Sequence, residues 1–204
     1  MIVKKLSNTD IIFASNNQGK CREIELALGV KLVTPADLNY IMDVAETGDS
    51  FATNALLKAE ALYNEFKHPV LADDSGLMVV ALPYELGVQS ARFGGEEVSS
   101  LVKNQLLIKK MCNIMDRRAY FVCHLVLYLA QENYIAVQST WHGSIATVLQ
   151  GSQGFGYDPV FIDELGRCAA NLTAQEKSVV SHRGKACVLL KQFMITLNLS
   201  LRIF

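Results

Sequence analysis

Val70-Leu71-Ala72-Asp73-Asp74-Ser75-Gly76 closes an apolar run with two adjacent acids and follows them with a small hydroxyl residue and a glycine. This is the pattern of a buried strand that presents carboxylates at its end. Neighbouring side chains on an extended strand point to opposite faces, so one acid faces a given site while the other braces the loop or faces solvent. Hard cations such as Mg²⁺ are held by one or two carboxylates together with waters and substrate phosphates, and the stretch fits such a site. On this stretch alone, an Asx-type turn in which the acids bond their own backbone is the commoner reading.

Upstream, Ile11-Ile12-Phe13-Ala14 reads as a short buried strand and Ser15-Asn16-Asn17-Gln18-Gly19-Lys20 as a polar turn. Cys21, Ile24 and Leu28 then recur at i, i+3 and i+7, the spacing of one helical face. The turn therefore delivers backbone N–H groups and Lys20 to a helix N-terminus, which suits phosphate. The chain lacks GxxxxGK[ST], so this is not a Walker loop, and a plain strand-turn-helix has the same look.

Ser50 is a good N-cap, and after it Phe51, Ala55, Ala59, Leu62 and Phe66 follow a helical period, with Asn54 and Lys58 one turn apart on another face. Pro69 ends that helix and starts the strand that carries the acids. Tyr120 to Ala130 alternates as a strand, with Phe121, Cys123, Leu125, Leu127 and Leu129 on one face and His124 read as structural. Asn133 turns it into a second strand through Trp141, and the pair reads as the long antiparallel members of a sheet. Thr173-Ala174-Gln175-Glu176 has capping-box spacing. Ala186, Leu189, Leu190, Phe193 and Leu197 form the apolar face of a last helix.

A length of 204 residues with half of them apolar fits one globular domain spanning 1–204. A formal net charge of -1 gives no case for a general nucleic-acid surface. The five cysteines, at 21, 112, 123, 168 and 187, are scattered and free of CxxC spacing, as expected of reduced thiols in a cytoplasmic protein. Lys4 and Lys5 precede an apolar run too short for a signal-peptide core. No run of about 20 apolar residues is present to span a membrane.

Two loop motifs remain. In Gly154-Phe155-Gly156-Tyr157-Asp158-Pro159 the glycines allow close backbone approach to a ligand, and the rings and acid offer a stacking surface and a polar reader; a tight turn with packed rings fits as well. Lys177 and Ser181-His182-Arg183-Gly184-Lys185 cluster cations at the mouth of the last helix, where the helix dipole favours negative charge. A bound anion resolves that tension, and so does solvent exposure.

Together these pieces resemble the inosine/xanthosine triphosphate pyrophosphatases. The resemblance covers nearly the whole chain, in order: SNNQGK, ETGDSFATNALLKA (Glu46 to Ala59), ADDSGL, GVQSARFGG, GFGYDPVF and EKSVVSHRGKA. It implies hydrolysis of non-canonical purine nucleoside triphosphates (ITP, dITP, XTP) to the monophosphate and pyrophosphate, by water attack on the α-phosphorus with Mg²⁺ as cofactor. By the same resemblance Ser15, Asn16, Asn17, Gln18, Gly19 and Lys20 hold the triphosphate, and Lys58 assists. Glu46 and Asp74 are the metal carboxylates, with Asp74 also the proton acceptor and Ser75 beside the substrate. Asp73 supports them. Phe155, Gly156, Tyr157 and Asp158 surround the base, and Lys177, His182 and Arg183 complete its pocket.

The resemblance further implies an α/β fold with a long mixed β-sheet flanked by helices, two lobes with a nucleotide cleft between them, and a homodimer. Pro83-Tyr84-Glu85-Leu86-Gly87, Phe93 and Ser15-Asn16-Asn17 depart from the family pattern; Asn16, where glycine is usual, is expected to tolerate a left-handed backbone. A related pyrophosphatase for a different modified base and a non-catalytic nucleotide-binding regulator are the alternatives. Two metal carboxylates argue against the regulator.

Overall fold

In the computed structural model, which describes residues 5–95 and 97–197 and leaves Lys4 outside them, β1 (Ile12–Phe13) pairs in parallel with β2 (Val70–Val79). Ile12 lies opposite Val70 and Phe13 opposite Leu71. β2 is longer than its apolar run suggests. Asp73, Asp74, Ser75 and Gly76 are interior strand residues rather than an exit turn, because cations on other elements neutralise both acids, as described below. The Asx-turn reading is thereby removed.

β3 (Arg118–Ala130), β4 (Asn133–Ile145) and β5 (Phe161–Asp163) complete a mixed sheet of order β1-β2-β3-β4-β5. Glu132 takes a φ of 57° in the two-residue turn from β3 to β4, the left-handed geometry of tight hairpins. β5 is antiparallel to β4. The helices of the described residues are α1 (Gln18–Leu28), α2 (Phe51–Phe66), α3 (Ser100–Lys110), α4 (Ala174–Val180) and α5 (His182–Thr196).

Caps set several of these limits. Asn17 is the N-cap of α1, its side chain accepting from the Gly19 and Lys20 N–H groups. Gln18, Gly19 and Lys20 therefore belong to the first helical turn, a correction to the polar-turn expectation. Ser50 caps α2 through the Thr53 N–H, and Lys67 ends it at a left-handed φ of 49° ahead of Pro69. The Thr173/Glu176 capping box forms in full at the start of α4. Asn16 is not among the described non-glycine residues with positive φ, which are Asn39, Lys67 and Glu132, so the departure from glycine there costs no strain.

The chain divides into two compact units made of interleaved segments. The first takes in the described residues up to Asp74, Cys123–Ser139 and the described residues from Arg183 onward. Both faces of its strands are covered, as their near-continuous apolar runs require when successive side chains point to opposite faces. Leu71, Cys123, Leu125 and Leu127 pack with Cys21, Ile24 and Leu28 of α1 and Ala186, Cys187 and Leu190 of α5. Val70, Ala72, Val126 and Tyr128 pack on the other side with Ala55, Ala59 and Leu62 of α2.

The second unit comprises Ser75–Val122 and Thr140–His182. Its core joins Leu77, Phe121, Trp141, Ile145 and Phe161 to Leu107 and Met111 at the C-terminal end of α3. Two departures from the family pattern find their reason here. Leu86 and Phe93 are both buried in this core, where a phenol hydroxyl at position 93 would need a partner. Tyr84 is exposed.

Candidate active site

In the first unit, consecutive acids on β2 serve separate cations. Asp73 is fully buried. Its Oδ1 lies 2.6 Å from Lys20 Nζ on α1, and its Oδ2 accepts from Arg183 Nε at 2.8 Å and from Cys123 Sγ at 3.2 Å. Arg183 Nη1 also pairs with Glu23. Burial works to raise the Asp73 carboxyl, but Arg183 and then Lys20 outweigh it and hold it well below the usual carboxylate range. The same contacts hold the Arg183 guanidinium firmly charged.

Asp74 projects the other way. Its Oδ1 accepts from Lys58 Nζ at 2.8 Å, and that ammonium also donates to Glu46 Oε1 at 2.8 Å and to the Asp73 carbonyl at 2.9 Å. Burial pushes the Asp74 carboxyl up, and Lys58 draws it back only in part. Burial works against the charge on Lys58, yet Asp74 and then Glu46 more than restore it, so its pKa is raised. Asn54, one turn before Lys58 on α2, accepts the Gly48 N–H at 2.8 Å through Oδ1 and so ties the Glu46 loop to the helix. Gly48 is required at that approach, since a Cβ would lie 2.6 Å from Asn54 Oδ1.

Glu46, Asp74 and a main-chain carbonyl thus converge, with oxygen alone, on one position of positive charge. That donor set suits a hard divalent cation. Among the described residues no group of three or more His, Cys, Asp or Glu side chains is arranged to hold a metal. Two carboxylates leave the remaining positions to phosphate and water, as Mg²⁺ commonly has them.

The Ser15–Lys20 stretch is organised by its own side chains. Ser15 Oγ accepts the Asn17 N–H at 3.1 Å, and Asn17 Oδ1 accepts those of Gly19 and Lys20 at 2.9 and 3.1 Å. Asn16, Asn17 and Gln18 are exposed, while Lys20 is half-buried against Asp73. Ser75, the next residue after Asp74, is half-buried.

In the second unit the Gly154-to-Pro159 motif folds around Asp158. Asp158 Oδ2 accepts the Phe155 N–H at 2.8 Å and forms a short ion pair with Lys177 Nζ. Lys177 Nζ also stands 5.1 Å from the centre of the Phe155 ring, a cation–π distance. Gly154 takes a φ of 76°, and a Cβ there would collide with the Asp158 carboxylate at 2.0 Å. Asn104 of α3 donates to the Gly156 carbonyl at 2.9 Å. His182 stacks on Phe121 at 4.7 Å and 10°. Tyr157 is buried, its hydroxyl donating to the Ser90 carbonyl at 2.7 Å.

The structure therefore brings Lys20 to Asp73, Lys58 to Glu46 and Asp74, and Lys177 to Phe155 and Asp158. It sets Arg183 against Asp73 and Glu23. Sequence reasoning missed Glu23, Cys123, Asn54 and Asn104. Helical spacing could have found the first, since Glu23 lies three residues beyond Lys20 on α1. The inward alternation of β3 marks Cys123, but nothing marks its partner.

A family model for the Ham1 family matches residues 11–193. The chain belongs to the Ham1 family. Among curated relatives, the chain is 41% identical over 189 residues to a dITP/XTP pyrophosphatase of Treponema denticola, covering 90% of this chain and 97% of that protein. It is 44% identical over 180 residues to a dITP/XTP pyrophosphatase of an Exiguobacterium species, covering 86% and 92%. Among solved structures, the Ham1 protein of Staphylococcus aureus matches with a TM-score of 0.82 at 38% identity, covering 92% of this chain and 98% of that one. A HAM1 protein from Coxiella burnetii gives the same TM-score at 33% identity.

Proposed function

We propose that this Ham1 protein hydrolyses non-canonical purine nucleoside triphosphates, ITP, dITP and XTP, to the monophosphate and pyrophosphate. The observation that carries the reading is the gathering of Glu46 from the loop before α2, Asp74 of β2 and Lys58 of α2 at one point, with Lys20 held on the adjacent acid. Family membership and relatives named for dITP and XTP support the substrate class.

Glu46 and Asp74 are the residues proposed to hold Mg²⁺. Bound there, the ion would acidify coordinated water and stabilise charge on phosphate oxygens. The protein's own groups do the rest. Asp74, whose burial raises its basicity, takes a proton from the attacking water; groups with pKa values nearer the working pH make better bases. The water oxygen bonds to the α-phosphorus, the bond from that phosphorus to the bridging oxygen breaks, and pyrophosphate leaves. Lys20 and Lys58 neutralise the phosphate oxygens, with Ser15, Asn16, Asn17, Gln18 and Gly19 holding the phosphate chain and Ser75 beside it.

Phe155, Gly156, Tyr157, Asp158, Lys177 and His182 are proposed to read the base, with Arg183 adding a donor. Tyr157 acts there through its packed ring and backbone, because its hydroxyl is committed to Ser90. Hypoxanthine and xanthine carry a C6 keto oxygen that accepts from N–H donors, whereas adenine presents an amino group and leaves those donors unpaired. Buried unpaired polar groups discriminate strongly. A homodimer is proposed by family analogy. The free cysteines, of which only Cys112 is exposed, support the cytoplasm as the compartment.

Incubation with Mg²⁺ and, separately, ITP, dITP, XTP, GTP, ATP and a pyrimidine triphosphate tests the reading. Pyrophosphate from the first three and little from the rest is expected. Release of single phosphate, or equal turnover of ATP, would overturn it.

A further inference from the structure

Lys58 spends its donors in one place. Its side chain is 5% exposed, and its ammonium reaches Glu46 Oε1 at 2.8 Å, Asp74 Oδ1 at 2.8 Å and the Asp73 carbonyl at 2.9 Å. A lysine ammonium has three donors, so these contacts use all of them. Two of the acceptors are the carboxylates proposed as metal ligands. A divalent ion would need to approach the same carboxylates at about 2.0–2.6 Å, which places it beside an ammonium already bonded to them. Two cations at that separation, largely removed from water, repel strongly.

We propose that Lys58 is a resident cation that competes with the divalent ion for the Glu46–Asp74 pair, and that the competition is relieved when a polyphosphate anion draws the ammonium away. The inference rests on the reading of Glu46 and Asp74 as metal carboxylates. It makes Lys58 the residue that couples metal entry to nucleotide entry. The protein alone holds the ion weakly, and the triphosphate supplies both a new partner for the ammonium and the oxygens that two carboxylates leave wanting.

Titration with Mn²⁺ alone, without nucleotide, followed by electron paramagnetic resonance, tests this. Lys58→Gln and Lys58→Met are expected to bind Mn²⁺ about tenfold or more tightly than the wild type, as removal of a neighbouring charge requires. Adding Glu46→Gln to either variant is expected to abolish the gain. Should neither lysine variant bind more tightly, while Glu46→Gln or Asp74→Asn still weakens wild-type binding, the metal site stands and the competition falls. A gain insensitive to Glu46→Gln would overturn both, since the ion would then lie elsewhere. Because Lys58 is buried, the rise in Tm produced by Mn²⁺ is a second readout that tolerates a destabilised variant. It is expected to be larger in the lysine variants than in the wild type, and an equal or smaller rise counts against the competition.

Discussion

Asp73 and Asp74 are consecutive on β2, yet their carboxylates bind different lysines from different helices: Asp73 Oδ1 takes Lys20 at 2.6 Å and Asp74 Oδ1 takes Lys58 at 2.8 Å. Strand alternation sends the two side chains apart. The sequence pair DD therefore serves two separate ion pairs, one bracing the fold and one at the proposed catalytic position.

Asp73 is the brace. Its carboxyl has a folded pKa below its unfolded value, so ionised Asp73 adds stability above the unfolded value of about 3.9. That contribution is lost as pH falls through the depressed folded value. Wild type is expected to exceed Asp73→Asn in stability at neutral pH, the gap narrowing only in acid. Urea unfolding from pH 7 down to the acid limit checks this. A gap that stays constant with pH would count against it.

Asp74 is the acid proposed to take the proton from water. Asp74→Asn is expected to lower kcat about 10²–10⁴-fold, the range for loss of a general base, with the fold kept. Lys58 retains Glu46 and the Asp73 carbonyl in that variant. Pyrophosphate release and circular dichroism together decide it, and near-normal turnover would move the proton acceptor elsewhere.

Arg183 carries two duties in this account. Its removal leaves Asp73 and Glu23 short of a partner, so Arg183→Ala is expected to destabilise by about 3–5 kcal/mol, as loss of one member of a buried pair does, and to weaken the preference for ITP over ATP. Stability loss with an unchanged ITP-to-ATP ratio would confine Arg183 to bracing Asp73.

Lys177 is bonded to Asp158 and set over Phe155. Replacing it with Met removes a charge-assisted contact of about 1.5–3 kcal/mol, and kcat/KM for ITP is expected to fall about tenfold or more while kcat/KM for ATP changes less. Parallel loss on both nucleotides would remove Lys177 from base selection.

Much of the fold was legible because local chemistry set it. Ser50 caps α2, Thr173 and Glu176 form their box, and the inward residues of β3 fall where alternation puts them. The limits of β2 and α1 were not legible. Two acids in mid-strand look like an exit until Lys20, Lys58 and Arg183 are known to neutralise them, and Arg183 is 110 residues away from Asp73 in sequence. Asn17 looked like turn chemistry because an N-cap and an Asx turn use the same amide oxygen. At the candidate site, Lys20, Glu46, Lys58 and Asp74 stand in motifs and spacing marks Glu23 and Cys123 as inward-facing, but the partners of Glu23, Cys123, Asn54 and Asn104 lie on other elements that no spacing in the sequence encodes.

The central claim is attack at the α-phosphorus, and hydrolysis of ITP in ¹⁸O-labelled water with Mg²⁺ tests it most directly. The account predicts one ¹⁸O in the phosphate of IMP and unlabelled pyrophosphate. Label in the pyrophosphate, or release of labelled single phosphate, would contradict it.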